Sequence, residues 1–238
     1  MGTTIELGPI PVDVVLKDIK NIHLTVHPPT GRVRISAPAR MPVDRIRLFA
    51  ISKLDWIKEQ QRKLREQERE TPREYLCRES HYVWGRRYLL TVIEHEAPPA
   101  IEITHNRLVL RVRPASSSAK RESVIENWYR AQVKEATAEL ITRWERLVGV
   151  RVAGFYIQRM RTRWGSCNSA ARTIRLNTDL ARKPRECLEY IVVHEMIHIL
   201  EPTHNERFQA HMTRLMPDWK HRRQVLNRLP VRHENWDY

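Results

Sequence analysis

The chain has 238 residues, 41% of them hydrophobic and 29% charged, an ordinary balance for one or two globular domains with a sizeable core. No apolar run approaches the ~20 residues of a membrane span, and MGTTIELGPIPVDVV lacks the basic start and apolar block of a secretory signal. Lys plus Arg number 42 against 28 Asp plus Glu, a formal +14, but the cations are spread along the chain and aromatics make up only 7%. This pattern implies weak polyanion attraction through a basic surface and excludes an evident base-stacking platform. Cys77, Cys167 and Cys187 are too few and too scattered for a disulfide framework or a cysteine-rich metal site. Reduced thiols in a cytoplasmic protein without a membrane anchor are the expectation.

In chain order, NIHLTV (Asn21–Val26) and RVRISAP alternate apolar and polar residues around a PPTG turn, which predicts a β-hairpin with Val33, Ile35 and Ala37 on one face. The period then changes. Ile46, Phe49, Leu54, Ile57 and Leu64 approximate the stripe of one long helix entered at Pro42. Its KEQQRKLREQERE stretch (Lys58–Glu70) reads as a solvated face with i,i+4 ion pairs. RRYLLTVIE, AIEITH and RLVLRV resume strand character, with a turn at His105 and Asn106. RPASSSAKRES (Arg113–Ser123) has linker composition. A long helix follows, with Ile125, Trp128, Tyr129, Ala136, Leu140, Trp144 and Leu147 near one face and Gly149 to end it. VAGFYIQRM predicts a strand, RTRWGSCNSAA a polar loop, and TIRLNTDL a short strand. Pro184 opens a further helix, another follows His204, and Pro217 begins the last. No repeat is visible. The fold class expected is α+β, with a mainly β domain over 1–116 carrying one long helix, and a second domain over 117–238.

The second domain holds the chemistry. His194, Glu195 and His198 form an HExxH pattern within IVVHEMIHILEPTHNERF. A helical residue turns about 100°, so imidazoles four apart share a face and can grip one metal ion. Glu195 points elsewhere and is placed to take a proton from a water on the metal. A catalytic zinc keeps three protein ligands and one open position. On an unbroken helix His204 would lie about 240° from His198. The chain must therefore turn, and Pro202 supplies a break. The spacing equals that of metzincins, but Glu201 stands where those enzymes place glycine. His211 competes with His204 for the third position, whereas His81, His105 and His221 read as surface or packing residues.

RMRTRWGSC, IRLN, VVHEMIH, HNERF and MPDWKHRR occur in this order, after GRVRISAP, KLDWI and GRRYLL. Together they resemble the YgjP-like metallopeptidase-domain family, relatives of the SprT-like and WLM zincins, over about residues 20 to 228. The resemblance implies a minimal zincin-like domain with an HExxH active-site helix, a backing helix and a small sheet. It implies zinc on His194, His198 and His204, with Glu195 as general base. A zinc-dependent metallopeptidase acting on peptides or proteins is the leading expectation. A nucleoside triphosphate (UTP) pyrophosphatase on the same metal site is the enzymatic alternative. A non-catalytic nucleic-acid or protein-binding module with structural zinc is the third. Arg163, Trp164 and Asn177 are candidates to shape a substrate groove, with TIRLNTDL pairing to an extended substrate. The rival roles are core packing for Trp164 and a surface position for Arg163. Cys167 reads as a small buried thiol, with an approach to the zinc as the rival reading.

Overall fold

In the computed structural model, the described residues are 3–27, 31–66, 73–160 and 163–230. The chain divides into two compact units, one of Met1–Glu70 with Pro230–Tyr238, the other of Thr71–Leu229. The class is α+β: three sheets and six α-helices among the described residues.

The first unit contains β1 (Thr3–Leu7), β2 (Ile10–Lys17), β3 (His23–His27), β4 (Arg32–Pro38), α1 (Val43–Ser52) and α2 (Leu54–Glu66). The expected β3–β4 hairpin forms, with Val33, Ile35 and Ala37 fully buried, although residues 28–30 of its turn lie outside the described residues. A second hairpin, β1–β2, not among the sequence expectations, buries Ile5, Leu7, Ile10, Val12 and Val14, whose spacing is its signal. The single long helix is in fact two. The Ser52 hydroxyl donates to the Phe49 carbonyl at 2.8 Å, the acceptor that the Lys53 N–H needs to continue an α-helix. Lys53 N–H turns instead to Ala50 O at 3.1 Å, and the helix breaks there. On α2 the expected pairs form, Arg62 with Glu66 at 2.9 Å and Lys63 with Glu59 at 3.2 Å.

The second unit begins with β5 (Ser80–Val83), β6 (Arg86–Glu94), β7 (Ala100–Thr104) and β8 (Arg107–Val112). Their order, β5-β6-β8-β7, with two antiparallel hairpins joined by a parallel central pair, repeats the β1-β2-β4-β3 arrangement of the first unit. Each sheet is followed by helix, so a structural repeat exists that sequence identity does not reveal. α3 (Ser118–Val148) starts inside the expected linker, because Ser117 caps it by accepting from Lys120 N–H at 3.3 Å. Gly149 ends it with φ 78°, a left-handed cap. Val148 is buried in α3's last turn, whereas Leu147 is 55% exposed. Leu108, Leu110 and Val112 share one core with Ile125, Tyr129 and Val133. The boundary drawn at 116 thus falls inside this unit, between β8 and the helix that completes its core.

β9 (Gly154–Gln158), β10 (Gly165–Asn168) and β11 (Thr173–Asn177) form the third sheet, in the order β10-β11-β9. The stretch expected to be a polar loop therefore contains a strand, β10. Its polar residues conceal it in the sequence, but pairing to β11 supplies the backbone bonds. A 3₁₀ turn over Thr178–Arg182 leads to α4 (Arg185–Ile197), then α5 (Glu206–Leu215) and α6 (Trp219–Arg228). The buried Arg182 guanidinium binds Asp179 and Glu126, the latter at 2.6 Å, and lies 4.6 Å from the Tyr129 ring, fixing this turn to α3. Glu189 on α4 ties in two neighbours, accepting from Arg143 and Trp144 Nε1 of α3 and from Arg222 of α6. α4 is thereby held from both sides. No described helix is long and apolar enough to cross a membrane.

Candidate metal centre

α4 buries Leu188, Ile191, Val192, Val193, Met196 and Ile197 and leaves His194 and His198 at the edge of that core. The helix ends at Ile197, ahead of Pro202. Its last turn tightens, with Leu200 N–H donating to Ile197 O at 2.9 Å, and the chain reverses toward Asn205. Glu201 does not adopt positive φ, so this turn needs no glycine. Asn205 organises it. Its side-chain oxygen caps α5 by accepting from Phe208 N–H at 2.9 Å, and its amide donates to the Glu201 carboxylate at 3.0 Å.

This reversal brings His204 against the other two imidazoles. His204 Nε2 lies 3.0 Å from His194 Nε2 and 3.2 Å from His198 Nε2. His198 Nδ1 is 3.0 Å from Glu201 O, so it donates there and leaves its Nε2 lone pair facing the centre. Burial first, then the neighbouring imidazoles and Arg223, lower His194 to about 3; burial also leads the lowering of His204. Neutral imidazoles are the form that ligates a metal. Three nitrogen acceptors converging this closely repel one another unless a cation or proton lies among them, and three imidazoles are a donor set that zinc favours. The residues therefore fit a metal ion. His211, half-buried on α5, lies outside the cluster, as does Cys167. His81 is wholly buried, and His105 and His221 are exposed.

Two supporting residues were not identified in the sequence. Phe208 is buried, and its ring centroid lies 4.7–4.9 Å from those of all three histidines, forming a rigid floor beneath them. Gly165 on β10 faces α4 so closely that a Cβ would stand 2.6 Å from Glu195 Oε1. Only the absence of a side chain gives the Glu195 carboxyl its place. Glu195 is 5% exposed, and burial pushes its pKa up to about 8, partly opposed by Arg163. The alternation that aims Gly165 at α4 also aims Cys167 there, where burial and then Glu195 raise its thiol to about 11.

The candidate groove residues separate. Arg163 is exposed and within electrostatic reach of Glu195. Trp164 is half-buried against the core, with Lys183 Nζ 5.9 Å from its ring. Asn177 is buried, and its amide donates to Met160 O at 2.7 Å and Arg163 O at 2.9 Å while its oxygen accepts from Asp179 N–H. These bonds tie it to Met160 and Arg163 and use both the nitrogen and the oxygen of its amide. TIRLNTDL cannot pair with a substrate, because β11 is the middle strand with both edges occupied. The edge strand nearest α4 is β10.

An HExxH helix, a third histidine returned to it and a buried carboxyl define a metallopeptidase-type centre. A family model described as YgjP-like, metallopeptidase domain, matches residues 20–229, and the chain belongs to that family. Two solved metallopeptidase zymogens are similar to parts of the chain. Abylysin of Pyrococcus abyssi is 17% identical, with 41% of this chain and 99% of its own covered and a TM-score of 0.36. Jannalysin of Methanocaldococcus jannaschii is 20% identical, with 40% and 92% covered and a TM-score of 0.33. No curated protein matches the chain at a significant level.

Proposed function

We propose that this protein is a zinc-dependent peptidase whose metal is held by His194, His198 and His204 and whose general base is Glu195. The observation that carries this reading is the convergence of the three Nε2 atoms, with pairs at 3.0 and 3.2 Å, on the helix that also positions Glu195. A zinc ion there supplies a Lewis acid that polarises a carbonyl and acidifies water. Glu195 accepts a proton from the attacking water as its oxygen bonds to the carbonyl carbon. It returns that proton to the amine nitrogen as the C–N bond breaks. Burial raises its pKa to about 8 while no cation lies on the imidazoles. A cation on the imidazoles favours its ionised form. The carboxyl occupies the space left open at Gly165 and is 5% exposed, so it has little room to move. Among the described residues β10 pairs on one side only, and an extended peptide adds to its other edge through backbone hydrogen bonds.

The test is Glu195→Gln in the zinc-loaded protein, read against a pool of unstructured peptides. The substitution keeps shape and helix propensity and leaves the imidazoles intact. Zinc content and fold are retained, and turnover falls at least ~10²-fold, the range of a lost general base. A folded, zinc-loaded Gln variant that cleaves peptides at the wild-type rate overturns the reading.

A further inference from the structure

A cleft of about 740 Å³ opens beside the triad, with His194, His204 and residues of α6 in its lining. That volume accommodates a short peptide segment. Lys220, Arg223, Gln224 and Asn227 line it from α6. Their spacing of three, four and seven residues from Lys220 is one helical face. Among the described residues no carboxylate lines the cleft.

The two adjacent arginines of α6 have opposite circumstances. Arg222 is engaged, with Asp218 at 2.8 Å and Glu189 at 2.7 Å. Arg223, one residue on, faces the cleft and makes no ion pair among the described residues, and neither does Lys220. Arg222 thus serves the structure, while Arg223 and Lys220 stand exposed in the cleft beside the triad, with no anion paired to them among the described residues. A guanidinium is a planar fork that matches a carboxylate through two parallel hydrogen bonds, and an ammonium adds a point charge. The neutral amides of Gln224 and Asn227 offer the donors and acceptors that a peptide backbone needs. The formal +14 of the whole chain favours the approach of anionic substrates in general.

We infer that this cleft is a specificity subsite for an acidic peptide, in which Arg223 and Lys220 hold a carboxylate close to the bond that is cut. The inference rests on the peptidase reading for its substrate, but the subsite is measurable without turnover. A peptide panel varies Asp and Glu against Asn and Gln at each position, with the C-terminus free or amidated, and is presented to the zinc-loaded full chain. One acidic position, or the free C-terminus, raises kcat/KM about tenfold or more, in line with a charge-assisted bidentate contact. Arg223→Gln brings that ratio toward one, and Arg223→Glu turns the preference toward lysine-bearing peptides. Equal cleavage of acidic and amide peptides by the wild type overturns the inference, as does a ratio unchanged in Arg223→Gln.

If no peptide is cut, the peptidase reading fails, and the subsite is judged by binding. Fluorescence anisotropy of labelled acidic peptides and their amide counterparts is then read on zinc-loaded Glu195→Gln protein. An acidic preference that vanishes with Arg223→Gln upholds the subsite. Equal affinities sink it, and so does Arg223-dependent binding of inorganic pyrophosphate with none of the carboxylate peptides.

Discussion

Replacing Gly165 with alanine adds one carbon where the centre has no room for it. The new Cβ would stand 2.6 Å from Glu195 Oε1, 2.9 Å from its Cγ and 2.9 Å from Ile191 Cγ2, whereas ordinary contact begins near 3.4 Å. A lone carboxylate tip could swing aside, but here Cγ and Ile191 are also struck, and Glu195 is 5% exposed with little room to retreat. The backbone is not an obstacle, since Gly165 sits in β10 without positive φ. The effect is therefore one of packing. Relieving it displaces the carboxyl by about 1 Å, a misplacement that costs about 10²-fold in rate. Overpacking costs a further ~1–3 kcal/mol of stability. The histidines are untouched, so zinc content should equal that of the wild type. Urea unfolding, metal analysis and turnover of a peptide pool, measured together, separate these effects. A folded, zinc-loaded Gly165→Ala protein with turnover within about twofold of wild type would refute the claim that this glycine positions the base.

His204→Ala leaves two imidazoles of the cluster and should lose most bound zinc on dialysis against a weak chelator, while His211→Ala should keep it. The opposite result would move the third ligand to α5. His81 predicts a pH dependence of stability. Burial first, then Arg73 and Arg182, lower its pKa from 6.5 to about 3, so the unfolded chain takes up the proton first. Stability from the neutral ring is whole above pH 6.5 and drains away as pH falls toward 3, at up to about 1.4 kcal/mol per pH unit. His81→Phe should flatten the fall of the urea midpoint over this window. An unchanged slope would place the titration elsewhere.

What the sequence determined by itself was local or periodic. The hairpin of β3 and β4, the long α3 with its Gly149 cap and the HExxH helix all follow from side-chain spacing along one segment. The three histidines were legible too, because a proline after a helical pair forces the chain to return and His204 is the next imidazole. What only tertiary structure decided depends on contacts between distant segments. GSCN becomes β10 because β11 offers it backbone partners, although its own residues carry no strand signal. β11 is closed to a substrate because β9 takes its second edge, which no periodicity records. Asn177 stands in the motif as a groove candidate, and only the fold shows that its amide donates to Met160 and Arg163. Gly165 lies 30 residues before Glu195, and its importance is a missing atom. A sequence displays the groups that a chain carries, but free space is a property of two surfaces brought together, and only the packed fold shows where a side chain has been left out to make room for another.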